Sequence, residues 1–376
     1  MKNITPDDSS IGDKPWSSKH IIDMLCPPLE ENGNPVVCYP VAGYPLGVKA
    51  KWEPMQEGTG TPSPENIRPI KGRDSVTVER CGENLLDESR FPIIKTTNNI
   101  KMTSKMTLPA GTYTACVLSV ASGVYARGAD VEHTYDSNKH TFTLARQTAI
   151  TLDSYWGKGR PKNDENIWLV EGNEWRPYTP YIGQTNTLTL PETVYGGEVD
   201  AVSGEGQETQ KLVILNGTES WNSWGINAHN PAITGFYTYD INDYDAKNAK
   251  GICSHLETPN QDVWGGRNAG IGFATVGSSR YFMFSMLTSS LPDISAGHEV
   301  ASLKAYLAAQ NDAGTPVQIA YKLAEPVPFT ATGAQPIPAL AGVNTVLTDA
   351  DNATVTGRAD LIKRITDLED AVASQT

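Results

Sequence analysis

Residues 52–86 read WEPMQEGTGTPSPENIRPIKGRDSVTVERCGENLL, a Pro- and Gly-punctuated loop set between two alternating runs. Before it, Leu46, Val48, Ala50 and Trp52 alternate with Gly47, Lys49 and Lys51; near its end, Val76 and Val78 alternate with Ser75, Thr77 and Glu79. A period of two places one set of side chains on each face of a strand. Between the runs, Gly58, Gly60, Pro62, Pro64 and Pro69 break ladders and set turns. The pattern predicts two paired strands joined by a long extended excursion, with a β-domain starting at Asn84-Leu85-Leu86. Nothing in the segment carries catalytic chemistry.

Working outward, 376 residues suffice for two or three domains with cores of their own. Asp and Glu number 43 against 30 Lys and Arg, a net charge of −13 that repels phosphate backbones and anionic lipid. Nucleic acid and membrane are therefore not expected as partners. No apolar run approaches the roughly 18 residues of a membrane span. The N-terminus MKNITPDDSS lacks the basic-then-apolar layout of a secretory signal, so secretion by that route is not expected. Five widely spaced cysteines (Cys26, Cys38, Cys81, Cys116, Cys253) with no CxxC pair read as reduced, buried thiols, in keeping with folding in a reducing cytoplasm. Plentiful Gly, Pro, Thr and Tyr with few helical patterns point to a mainly β, loop-rich chain.

Along the chain, residues 1–32 read as a polar arm followed by one short helix. Ser17 or Ser18 caps the helix; Ile21, Ile22 and Leu25 share a face beside Trp16, and Pro27-Pro28 stop it. It either packs on its own β-domain or serves as a docking peg. Residues 33–83 form an extended β connector, and residues 84–182 a β-sandwich with strands near 112–120, 141–145, 149–153 and 167–170. A second β connector spans 183–215. A further β-rich domain spans 216–346, with strands near 235–239, 271–276, 281–286 and 317–323 and one helix over 298–310. In that helix Val300, Leu303 and Leu307 share a face, Glu299 lies in the first turn, and Gly314 and Pro316 end it. Residues 347–376 read as a strand and a short coiled coil. Leu361, Ile365, Leu368 and Val372 follow heptad spacing, and a terminal helix of that length frays without a partner. Ile365 and Val372 at the a positions with leucine at d lean towards dimers by peptide rules and do not fix the strand number.

Motifs that carry site chemistry are mostly missing from the sequence. The glycine-rich GGRNAGIGFATVG (265–277) contains neither GxGxxG nor GK[ST], and no helical pattern follows it. Six scattered histidines lack HExxH or other ligand spacing, and GxSxG is missing. The loop YDINDYDAKN offers Asp240, Asn242, Asp243 and Asp245 as oxygen ligands for calcium. Tyr244, however, occupies the fifth-position ligand place and no glycine follows. A solvated acidic loop is the preferred reading, and no cofactor or metal is expected. Carboxylate pairs for glycoside hydrolysis cannot be chosen among 43 acids. Tyr155 and Trp156 in a polar loop, and Trp221 and Trp224 in ESWNSWGIN, suit stacking on sugar faces beside Asn and Asp. The plainer alternative, preferred here, is that they plug cores or protomer contacts.

A family resemblance can now be placed on these residues. The 52–86 block resembles one found in many structural proteins of tailed bacteriophages and prophages of gut Firmicutes. KPWSSKHIIDMLCPPLEENGNPVVCYPVAGYPLGV (14–48) looks like their N-terminal region. LTLPETVYGGEVDAVSG (188–204) and LKAYLAAQNDAGTPVQIAYKLAEP (303–326) are similar to segments recurring in phage tail and fibre proteins. The likeness covers most of the chain outside parts of 85–170 and 216–295. Such proteins include head fibres, tail fibres and minor tail proteins, so it does not specify the position in the particle.

The resemblance implies a homotrimeric virion appendage, assembled in the bacterial cytoplasm, docked on capsid or tail by its N-terminal region (Trp16, Ile21, Ile22, Leu25) and projecting β-modules. Residues 84–182 also resemble jelly-roll modules similar to carbohydrate-binding modules, with no sugar-binding residues carried over. The expected function is non-enzymatic: a fibre displaying β-sandwich modules for adhesion to host surface polysaccharide. The alternatives are a capsid decoration or tail connector without ligand, and a polysaccharide depolymerase, for which the β-helix repeat is missing. On this reading the 52–86 block lies against neighbouring chains, and other protomers or the particle supply its missing ladder bonds.

Overall fold

The computed structural model describes residues 26, 28–95, 100–118, 122–128, 138–156, 167–226, 230–247, 249–257, 263, 267–360 and 365. These are mainly β, in several sheets, with one α-helix. The expected docking helix with Trp16, Ile21, Ile22 and Leu25 lies outside the described residues, as do Leu361, Leu368 and Val372 of the heptad set.

The first strands are β1 (Pro28–Gly33), β2 (Val36–Cys38), β3 (Pro45–Trp52), β4 (Met55–Gln56), β5 (Ile70–Lys71) and β6 (Arg73–Cys81). Both alternating runs form strands, and each buries its apolar set: Leu46, Val48, Ala50 and Trp52 in β3, Val76 and Val78 in β6. They do not pair with each other, which corrects the expectation drawn from their spacing. β3 and β6 belong to different sheets and share one core. A half-buried strand satisfies its apolar face equally well beside a neighbour or across a core from it, and alternation cannot tell the two apart. Only β4 and β5 close locally, Met55 opposite Lys71 and Gln56 opposite Ile70.

The excursion between them is tied from within. Arg68 donates to the backbone carbonyls of Gln56, Glu57, Gly58 and Gly60, and Asn66 donates to those of Thr59 and Thr61. Further bonds lead to the rest of the chain: Arg68 N to Ser254 O at 2.9 Å, Ile70 N to Gln318 Oε1 at 2.8 Å and Gln56 Nε2 to Cys253 O at 2.9 Å. These groups take the place of the outside partners expected for the segment.

Next come β7 (Ile93–Lys95), β8 (Ile100–Thr103), β9 (Met106–Leu108), β10 (Gly111–Val117), β11 (Ser122–Arg127), β12 (Lys139–Leu144), β13 (Thr148–Trp156) and β14 (Ile167–Glu171). They make a three-stranded sheet, β12-β10-β14, and a five-stranded one, β11-β13-β8-β7 with β9 beside β13. Tyr113, Val117, Phe142, Leu152 and Leu169 from both sheets fill a common core. Asn84 is buried; its side chain accepts from Leu86 N at 3.0 Å and donates to Thr179 O at 3.0 Å, so it pins the entry against the exit.

The chain then returns as β15 (Gly183–Val194), β16 (Gly196–Asp200) and β17 (Glu205–Leu215). After these come β18 (Asn222–Ile226), β19 (Ile233–Thr238), β20 (Gly251–Cys253), β21 (Gly270–Val276), β22 (Ser279–Leu287) and helix α1 (Glu299–Asp312). The last are β23 (Val317–Thr330), β24 (Ile337–Pro338), β25 (Asn344–Thr348) and β26 (Asn352–Arg358). Segments 33–83 and 183–215, expected as connectors, join the C-terminal strands in two sheets. One runs β1-β26-β3-β16-β17-β23-β20, with β24 beside β3; the other runs β15-β6-β25-β2. Residues 84–182, and residues 216–316 apart from β20, are therefore excursions from this shared pair of sheets rather than links in a simple series.

β17 and β23 extend beyond the first core, shifting register between Glu208 and Gln210. Their far halves share a third core with the sheet β18-β19-β22-β21 and with α1, built from Leu215, Phe236, Phe282, Phe284, Leu303 and Leu307. α1 matches its predicted limits closely. Glu299 favours the positive end of the helix dipole, and Gly314 at φ +75° terminates it in a conformation costly for other residues.

Candidate functional site

On the sheet β18-β19-β22-β21, alternation divides the aromatic residues between two faces. Phe236, Phe282 and Phe284 enter the core, whereas Tyr237, Tyr239 and Tyr281 fall on the opposite face. β18 adds Trp224 to them. A register shift between Ser223 and Ile226, with Gly225 at φ +78°, distorts the strand at this point. Such bulges re-aim side chains.

The four rings touch in sequence. Trp224 and Tyr237 have centroids 4.7 Å apart and planes tilted by 31°. Tyr237 meets Tyr239 and Tyr281 edge-on, each at 5.8 Å, and Tyr239 lies 4.8 Å from Tyr281. Trp224, Tyr237 and Tyr281 are half-buried, and Tyr239 is 44% exposed. A hydrogen bond between the side chains of Tyr239 and Tyr281 is the main cause that raises the Tyr239 pKa. The Tyr239 phenol therefore stays protonated at neutral pH, able to donate and accept. Exposed Asn222 stands opposite Tyr237 in the ladder, and exposed Asp240 follows Tyr239.

The loop after Tyr239 is held rigidly. Asn242 Nδ2 donates to Tyr239 O at 3.0 Å, and Arg280 Nη1 donates to the carbonyls of Asn242 at 2.8 Å and Tyr244 at 3.1 Å. The same loop docks on β23 where that strand shifts register: Asp245 N donates to Lys322 O, and Ala324 N to Asp243 O. A patch fixed in this way has little of its own ordering left to lose in any contact it makes.

No protein-family model matches the chain, and neither a curated protein nor a solved structure matches it.

Of the aromatic residues singled out in the sequence, Trp224 belongs to this patch. Trp221 does not. It is buried beside Phe282 and Phe284, with its Nε1 donating to Glu219 Oε2 at 3.1 Å, so it has no ring face to offer a sugar. Tyr155 and Trp156 lie in β13 rather than in the polar loop expected for them, opposite Gly123 and Ser122 of β11. Sequence reasoning passed over Tyr237, Tyr239 and Tyr281. The signal was present in GFYTYD (235–240), where tyrosines alternate with core residues, but it shows only once the sheet has assigned the faces.

In the acidic loop, each carboxylate meets a separate partner. Asp243 bonds to Lys211 Nζ at 2.9 Å and Tyr321 Oη at 2.6 Å, Asp245 pairs with Lys322 at 2.9 Å, and Asp240 accepts from Ser220 N at 2.6 Å. Burial alone would raise the pKa of Asp243, but the bonds from Tyr321 and Lys211 outweigh it and the pKa is lowered. Among the described residues, no group of three or more acidic, His or Cys side chains could hold a metal ion. Ile365 of the heptad set is helical and 46% exposed.

Proposed function

We propose that this chain is a non-enzymatic structural protein of a bacteriophage virion, a trimeric fibre or appendage whose β-sandwich, jelly-roll-like modules adhere to host surface glycans. The aromatic patch carries the adhesive part of the reading. Tilted rings with hydroxyl, amide and carboxylate groups at their margin suit pyranose rings, whose C–H faces stack while their hydroxyls bond to the rim.

The virion assignment rests on the resemblance of residues 14–86, 188–204 and 303–326 to phage structural proteins. Trimerisation rests on the same resemblance and on the heptad spacing of Leu361, Ile365, Leu368 and Val372. The N-terminal region before β1 would dock on capsid or tail proteins. Host polysaccharide is the outward partner, and the appendage works on the particle.

A glycan array probed with the wild-type protein and with Trp224→Ala and Tyr239→Ala variants tests adhesion. Binding to surface polysaccharides that both variants lose supports it, and no binding by the wild type removes it. Light scattering tests assembly, where a stable monomer at micromolar concentration would refute the trimer.

A further inference from the structure

We infer a binding site for a small neutral sugar, a free mono- or disaccharide, in the crevice where the 84–182 unit meets the outer face of β6 and β25. It lies on other residues than the aromatic patch, goes beyond the adhesive reading and stands or falls on its own test. The crevice holds about 330 Å³, at the lower end of the roughly 300–1,000 Å³ of small-molecule sites, which also gather where units meet. That volume suits a short ligand rather than a polymer.

The two sides come from different parts of the chain. Thr77 and Glu79 alternate along β6 with the core residues Val76 and Val78, and so face away from the shared core. Leu347 of β25 and Asp349 just after it stand beside them. Opposite, the 84–182 unit presents Arg90, Lys105, Thr107 and Gln147. Phe91 and Leu108 join Leu347 in supplying apolar surface.

Carboxylates thus lie on one side and cations on the other, so a ligand of either net charge meets repulsion from one of them. Both carboxylates are fixed. Glu79 accepts from Arg90 Nη1 and from Tyr181 Oη, each at 2.7 Å. Asp349 accepts from Thr77 N at 2.9 Å and pairs with Arg73. An ionised carboxylate has about four lone-pair sites, which leaves each of them able to accept from a ligand hydroxyl. Among the described residues, the side chains of Lys105, Thr107 and Gln147 make no hydrogen bond or ion pair, and all three are exposed. Their ammonium, hydroxyl and amide groups can donate to ligand oxygens. A sugar hydroxyl donates and accepts, and the C–H faces of its ring are apolar. A neutral sugar therefore uses the carboxylates, the donors and the apolar surface together.

The test uses the full chain with glucose, galactose, N-acetylglucosamine and lactose, and with glucuronate and glucosamine as charged controls. By calorimetry and saturation-transfer NMR, the wild type should bind at least one neutral sugar, and more tightly than either control. Hydrogen exchange with that sugar present should slow at residues 77–79, 105–108 and 347–349 but not at 235–239. The Lys105→Ala/Gln147→Ala double variant should bind about tenfold more weakly. Thr107→Trp, which fills the crevice with a large ring, should abolish binding. These positions are exposed, so both variants should melt close to the wild type. Trp224→Ala should bind these sugars as the wild type does, which separates this site from the aromatic patch. No binding of any neutral sugar, tighter binding of glucuronate or glucosamine, protection confined to 235–239, or equal binding by both crevice variants would overturn the inference.

Discussion

Asn34 and Thr348, separated by 314 positions, exchange hydrogen bonds: Asn34 Nδ2 donates to Thr348 O at 2.8 Å, and Thr348 N donates to Asn34 Oδ1 at 3.1 Å. Asn34 Nδ2 also donates to Ala350 O at 2.9 Å. The two ends of the described chain thus close the same pair of sheets, which the excursions at 84–182 and 216–316 leave and re-enter.

Asn34→Ala removes these three partly buried bonds and should cost about 2–3 kcal/mol in the shared sheets. Hydrogen exchange at residues 344–350 should rise while exchange in β10 and β14 stays slow. Ending the chain at residue 360 should leave every sheet intact, whereas ending it at residue 343 removes β25 and β26 and should prevent the shared sheets from forming. Soluble, cooperatively melting protein from the shorter chain would contradict this.

Arg68→Ala leaves four loop carbonyls without their donor. Because the groups are largely exposed, water replaces part of the loss, and the cost should be about 1–2 kcal/mol. The sharper readout is limited proteolysis, with new cleavage inside residues 57–67 and no change elsewhere.

Two neighbouring tryptophans should behave oppositely. Trp221→Ala opens a hole in the third core and should cost about 3–5 kcal/mol, lowering glycan binding only in proportion to unfolding. Trp224→Ala should change stability by less than about 1.5 kcal/mol, the range of its ring contacts, yet abolish binding. Tyr239→Phe keeps the ring and removes the bond to Tyr281, so it should reduce binding less than Tyr239→Ala. Melting curves and glycan titrations on the same samples separate these effects.

Alkaline pH should destabilise the fold. Burial pushes the thiols of Cys38 and Cys253 up to about 12, and that of Cys116 to about 11. The unfolded chain releases these protons near the ordinary thiol value of 9.0, while the folded chain keeps them. Their contribution is therefore complete below pH 9 and is lost as pH climbs towards 12, by about 1.4 kcal/mol per pH unit for each group that only the unfolded state has ionised. Urea midpoints should be flat to about pH 8.5 and fall above it, and Cys253→Ala should make the fall shallower. All five cysteines are free, but only Cys26 is not buried. It alone should react quickly with a thiol reagent in the folded protein.

Much of the local structure was legible in residue order alone. Alternation in 46–52 and 76–78 made strands, and Val300, Leu303 and Leu307 with Gly314 marked the helix. These signals act over a few residues, through backbone geometry and the need to bury one face, so a short window contains them whole. Partner choice is different. That β3 pairs with β26 and β16, that β6 lies between β15 and β25, and that both connectors belong to the same two sheets depends on contacts between residues hundreds of positions apart. Residues 52–86 showed their strands and their turns in sequence, but not that the strands face one another across a core or that Arg68 holds the turns. The aromatic patch has the same origin: Trp224 and Tyr281 both reach Tyr237 only because β18 and β22 both flank β19, an arrangement set by the packing of the third core and not by any property of either residue.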